Sequence, residues 1–137
     1  MKGAYILIFR CKKETKINVG SLDTIHFKKG FYVYVGSAMN DLLSRVRRHF
    51  NVSKETSHKR KWHVDYLLTS QDFELVASVL FPSINKIECK VSRFFESNAT
   101  TTVKKFGSTD CSKCKGHLHY FPSLKEIFNV LEALNHW

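Results

Sequence analysis

The first patterned stretch is Ala4-Tyr5-Ile6-Leu7-Ile8-Phe9, an unbroken apolar run rich in β-formers. A strand with no polar side has no face to give to water, so this run predicts a central strand. Lys16–Gly20 and Thr24–Phe27 read as short strands, with Gly20-Ser21 as punctuation. Lys29-Gly30 turns the chain into Phe31-Tyr32-Val33-Tyr34-Val35, a second strong strand that stops at Gly36-Ser37. The spacing then changes to that of a helix. Asn40 is the predicted cap, and Leu42, Leu43, Val46 and Phe50 share one face, with Arg45 and His49 on its border. Asn51–Ser57 is polar and predicts a loop. Lys59–Leu68 predicts a second helix, with Trp62 and Tyr66 one turn apart. Phe73–Leu80 is a third strand, closed by Pro82. Ser83 opens a predicted helix to about Phe95, with a stripe of Ile84, Ile87, Val91, Phe94 and Phe95. Thr101–Phe106 and Leu118–Phe121 are late strands. Ser123 with Glu126 fits a capping box opening a last helix, whose Leu124, Ile127, Phe128, Leu131 and Leu134 face the core. This order predicts an α+β fold, layered around one sheet and flanked by helices.

A length of 137 residues suits one domain, 1–137. The 43% hydrophobic content excludes a disordered chain. No apolar run reaches the roughly 18–20 residues of a membrane span, and Met1–Arg10 reads as a strand rather than a secretory leader. Four cysteines in a core-rich chain do not make a disulfide scaffold, which points to a reducing, cytoplasmic setting with no membrane partner. The formal net charge of +10 points to a polyanion. Charge alone does not separate nucleic acid from acidic protein or lipid. The position of the surplus narrows this: Arg45, Arg47, Arg48, Lys54, Lys59, Arg60 and Lys61 lie close together, with Glu55 the one acid among them. His49, His58 and His63 add donors, and Trp62 and Tyr66 are placed to stack on bases. The plainer reading of such a run is a solvated face.

Four features carry candidate chemistry. Glu88 falls inside an apolar helical stripe, where a carboxylate needs a partner. That partner is either a core Arg or Lys, or a hard divalent cation, and Mg²⁺ often uses one or two carboxylates plus water and phosphate oxygens. Arg45 and His49 form the second feature: the guanidinium fork suits a phosphate, and the imidazole suits proton transfer near neutral pH. Both also fit a solvated basic face. The third is Cys111-x-x-Cys114-x-x-His117-x-His119, a set of permissible zinc ligands. It lacks the usual long gap between ligand pairs, so a loop with reduced thiols is the preferred reading, with Cys11 and Cys89 as small apolar fillers. Finally, Tyr5 and Tyr34 sit in apolar strands, where their hydroxyls either pack singly or meet near one site.

Gly3-Ala4-Tyr5, then Tyr34-Val35-Gly36-Ser37, then Asn40, Arg45 and His49 resemble the GIY-YIG nuclease superfamily. Gly30–His49, Trp62-His63-Val64-Asp65-Tyr66-Leu67, Glu88-Cys89 and Phe106-Gly107-Ser108-Thr109-Asp110-Cys111 are similar to a GIY-YIG-like branch sometimes fused to endonuclease III-type repair proteins. The resemblance implies a central, mainly antiparallel sheet and hydrolysis of a DNA phosphodiester with one divalent metal, Mg²⁺ or Mn²⁺. It implies that Tyr5 or Tyr34 activates water, that Arg45 contacts the scissile phosphate, and that Glu88 binds the metal. It places His49 at a frequent helical His. The gap between Tyr5 and Tyr34 is long for the superfamily and needs an extra strand or hairpin. Arg47, Arg48, Lys59, Arg60, Lys61 and Trp62 are then the expected DNA contacts, with RNA left open. A noncatalytic nucleic-acid-binding module and an accessory module docking on a repair protein are the alternatives.

Overall fold

The computed structural model describes residues 1–55, 60–107 and 113–136. Strand β1 (Gly3–Cys11) lies inside a five-stranded sheet of order β5-β1-β4-β7-β6. Its neighbours are β4 (Gly30–Ala38) and β5 (Phe73–Pro82), followed across the sheet by β7 (Leu118–Phe121) and β6 (Thr101–Val103), and every pairing is antiparallel. A continuous apolar run is the usual mark of a parallel strand, yet β1 is antiparallel. The reason is that both its faces are covered. Tyr5, Leu7, Phe9 and Cys11 enter one core, whereas Ile6 and Ile8 enter the other. The first core is closed by helices α1 (Leu42–Ser53) and α2 (His63–Leu68), through Leu42, Val46, Val52, Val64 and Leu67. The second is closed by α3 (Glu88–Asn98) and α4 (Leu124–Leu134), through Val91, Phe95, Ile127, Val130 and Leu134. The stretch between β1 and β4 holds a separate hairpin of β2 (Thr15–Asn18) and β3 (Thr24–Phe27).

Element boundaries differ from the sequence pattern where a tertiary partner intervenes. The cap of α1 is Asp41, not Asn40, and Ser44 Oγ donates to its Oδ2 at 2.6 Å. The helix continues through Asn51–Ser53 because Val52 is buried under the sheet. Helix α2 starts at His63 rather than Lys59, since Asp65 Oδ2 accepts the Lys61 and Trp62 amides at 2.8 and 3.1 Å and holds the chain outside the helix. Helix α3 starts at Glu88, not after Ser83. The intervening residues form a turn in which Ser83 Oγ accepts the Asn85 amide, and Ile84 is 88% exposed instead of lying in the stripe. Strand β6 ends at Val103, and the chain turns so that Phe106 enters the first core. Ser123 caps α4 as expected, but Phe128 points to solvent.

Candidate active site

The strand register builds the first half of the site. Tyr5 stands opposite Gly36, and Leu7 stands opposite Tyr34, so both tyrosines project from one sheet face with ring centroids 6.4 Å apart. Gly36 has no Cβ because the Tyr5 ring and hydroxyl occupy that space. Gly107 is required twice over: its φ is +65°, and a Cβ there would meet the Tyr34 ring at 2.9 Å.

Helix α1 supplies the layer beneath Tyr5. His49 is fully buried, and its Nε2 lies 2.7 Å from the Tyr5 hydroxyl. Burial, reinforced by the charges of Arg48 and Arg45, lowers the His49 pKa to about 4, so its imidazole is neutral at pH 7. In the tautomer with its proton on Nδ1, the neutral imidazole accepts at Nε2 and the Tyr5 O–H donates. Burial pushes the Tyr5 phenol well above its ordinary value, with Arg45 opposing the rise, and burial also raises Tyr34. Both phenols therefore keep their protons at neutral pH, and the Tyr5 hydroxyl lies within hydrogen-bond reach of the imidazole.

The two arginines have different duties. Arg48 forms a bidentate pair with the buried Asp65, both contacts at 3.2 Å. Burial raises the Asp65 pKa, but the Arg48 hydrogen bond and the Lys61 and Trp62 amides outweigh it, and the carboxyl ends below its ordinary value. Arg45 instead donates from Nη1 to the Ser37 carbonyl at 3.1 Å and turns toward open space. Both guanidiniums lie over the Trp62 ring, at 4.7 Å for Arg45 and 4.3 Å for Arg48, and Lys61 Nζ lies 5.0 Å from it. Trp62 is thus a shelf for cations.

Glu88 occupies the first turn of α3, where the helix dipole favours a carboxylate. Its Oε2 is 2.7 Å from Nδ1 of the buried His117. The tyrosines, Arg45 and Glu88 share one cleft of about 370 Å³, completed by Gly36, Ser37, Lys61, Trp62, His63 and Gly107. His49 lies behind this wall and reaches the cleft through Tyr5. Glu88 contacts no core Arg or Lys among the described residues, and the cleft is open to solvent.

Of the remaining expected contacts, Arg47 is exposed outside the cleft lining, and Arg60 is exposed with its Nε donating to Thr69 Oγ1 at 3.3 Å. Lys59 and Cys111 lie outside the described residues. His119 is not grouped with Cys114 and His117: its Nε2 meets Ser92 Oγ at 2.8 Å and its Nδ1 meets Thr102 Oγ1 at 2.7 Å. In the sequence His63 reads only as one more donor. Its Nδ1 accepts the Gly107 amide at 2.9 Å, which leaves Nε2 as the protonated nitrogen, and burial lowers its pKa. The signal for it lay in the adjacent Trp62-His63, but nothing local separates a cleft histidine from one on a basic face.

The family model of a domain of unknown function, DUF123, matches residues 4–136, and the chain belongs to that family. No curated protein and no solved structure matches it. Among the described residues, no helix is long and apolar enough to cross a membrane.

Proposed function

We propose that this member of the DUF123 family is a metal-dependent endonuclease that hydrolyses DNA phosphodiester bonds, with a GIY-YIG-type arrangement of residues. The observation that carries the reading is the convergence of Tyr5, Tyr34, Arg45 and Glu88 on one open cleft, with the Tyr5 hydroxyl seated on a buried neutral histidine. Arg45, steered by the Ser37 carbonyl and the Trp62 ring, presents its remaining N–H donors to a phosphate. Lys61 and the His63 Nε2–H offer further donors from the cleft wall.

Tyr5 acts in a relay. As it takes a proton from the attacking water, it passes its own to His49 Nε2, so no free phenolate forms. Protonating a histidine with a pKa of about 4 costs about 4 kcal/mol at pH 7. A bound phosphate lowers that cost, because it offsets the Arg45 charge that helps keep His49 neutral. Glu88 fits a hard divalent cation: with Oε2 on His117, its other oxygen is left for Mg²⁺ or Mn²⁺, which commonly takes a single carboxylate plus phosphate and water. When bound, such an ion polarises the phosphate and stabilises the leaving oxygen.

The test is a nicking assay on supercoiled plasmid and on branched DNA with Mg²⁺ or Mn²⁺. Wild type is expected to cut, and Arg45→Ala and Glu88→Ala are each expected to lose at least about 100-fold. Cutting that persists unchanged in both variants refutes the assignment. Salt-sensitive DNA binding without cutting by wild type would instead mark a noncatalytic binding module.

A further inference from the structure

We infer that Cys89, Cys114 and His117 form a zinc site, separate from the cation proposed for the cleft. The ligand atoms of these three residues lie within 4.8 Å of one another. A tetrahedral zinc with Zn–S bonds of about 2.3 Å places its sulfurs about 3.8 Å apart, so the cluster needs to contract by only about 1 Å. Two thiolates and an imidazole are a soft to borderline donor set, which selects Zn²⁺ over Mg²⁺ or Ca²⁺.

A second observation concerns how the imidazole is held. A zinc-bound histidine almost always donates its other ring N–H to a carboxylate or carbonyl, which fixes the tautomer and ring orientation. Here Glu88 Oε2 stands 2.7 Å from His117 Nδ1. The two atoms are in ion-pair contact without the alignment of a hydrogen bond; a carboxylate so placed favours the proton on Nδ1, which assigns Nε2 to the metal. The backbone around His117 is equally fixed: its amide donates to the Phe106 carbonyl at 2.7 Å, and its carbonyl accepts the Val35 amide at 2.9 Å. Cys89 is the second residue of α3, and Cys114 Sγ lies 3.9 Å from its carbonyl oxygen. Cys89 and His117 both line a cavity of about 270 Å³ that gives an ion a way in.

The sequence pattern Cys-x-x-Cys-x-x-His-x-His suggested other partners, because it groups only neighbours in the chain. The fold removes His119 to Ser92 and Thr102 and brings in Cys89 from 25 residues before Cys114. Bound zinc would therefore cross-link the start of α3 to the segment entering β7. It would also fix the Glu88 carboxylate that the cleft uses.

The experiment reads metal directly. Untagged protein grown with zinc is expected to carry about one zinc per chain by elemental analysis. Protein stripped with a chelator and titrated with Co²⁺ is expected to show near-ultraviolet thiolate-to-cobalt absorption and the visible bands of tetrahedral cobalt. Cys89→Ser and Cys114→Ser, checked for folding by circular dichroism, are each expected to weaken the thiolate absorption and lose stoichiometric zinc. Glu88→Gln is expected to keep the ion with affinity reduced 10–100-fold. Folded wild type that takes up no zinc from micromolar solution, or that binds Co²⁺ without thiolate absorption, overturns the site. So does thiolate absorption that is unchanged in both cysteine variants. Because none of these readouts is DNA cutting, the zinc site and the nuclease reading fail separately.

Discussion

Acid should unfold this domain earlier than its carboxylates alone would. His49 and His119 are both fully enclosed. Burial is the main cause that lowers the His49 pKa to about 4, with Arg48 and Arg45 adding to it, and that lowers the His119 pKa to about 3, with His117 adding to it. An unfolded chain takes a proton at each imidazole as pH falls through about 6.5, whereas the folded chain refuses both until far lower pH. The folded state therefore loses stability as pH falls from about 6.5, by about 1.4 kcal/mol per pH unit for each group. The two together remove about 4 kcal/mol by pH 5 and about 6 kcal/mol by pH 4. Against a typical total of about 5–15 kcal/mol, that is enough to bring the acid midpoint close to pH 4–5. Urea unfolding followed by far-ultraviolet circular dichroism at half-unit steps from pH 7.5 to 4.5 measures the slope. His49→Gln and His119→Gln should each remove about half of it while keeping a polar partner for Tyr5 or for Ser92 and Thr102. Loss of a bound metal in acid would leave both variants as steep as wild type, so the halving isolates the histidines. A wild-type stability that changes by less than about 1 kcal/mol between pH 6.5 and 5 refutes the reasoning.

Gly36→Ala should force the Tyr5 ring away from β4, destabilising the fold by about 1–3 kcal/mol in urea melts and abolishing DNA cutting. A variant that melts and cuts like wild type would show that Gly36 does not hold Tyr5. Asp65→Ala leaves Arg48 and two backbone amides without their acceptor, and a loss of about 3 kcal/mol is expected by the same method. Tyr5→Phe and His49→Ala interrupt one relay, so the double variant should cut no more slowly than the slower single; multiplying losses would mean that they act independently. In nuclear magnetic resonance titrations, the His49 imidazole pKa should rise when a noncleavable oligonucleotide binds, and a fall would break the proposed link between substrate charge and the base.

The layering was legible because it rests on period and composition. The β1 and β4 runs are apolar on both faces, and the fold does cover both faces with helices. The pairing of Tyr5 with Tyr34 was legible only through the resemblance of the ordered motifs, since spacing alone says nothing of register. Glu88 shows where period misleads. It matches a helical stripe with Ile84, but the helix begins at Glu88 itself, so its carboxylate sits at a solvent-reachable helix end rather than in a core. The boundary could not be read locally, because it depends on a turn closed by the Ser83 side chain and on the Ser83 amide donating to the Lys2 carbonyl. The grouping of Cys89 with Cys114 and His117 was illegible for a similar reason. The partners of Cys89 are distant in the chain, and a cysteine without a local motif looks like a filler.

The basic surplus is also less uniform than its sequence suggests. Arg48 is committed to Asp65, and its guanidinium, stacked with that of Arg45 on Trp62, is part of the scaffold. The aromatic in the basic run thus gathers positive charge beside the cleft. Two guanidiniums and an ammonium around one ring repel one another, and an anion entering the cleft relieves that repulsion. The same anion makes His49 a better base, because Arg48 and Arg45 are the charges that depress it. In the proposed reaction, His49 would then accept a proton more readily with a phosphate bound than with the cleft empty, although burial remains the larger cause of its low pKa. Under that proposal, substrate binding and proton transfer would be linked through electrostatics, with no moving part required.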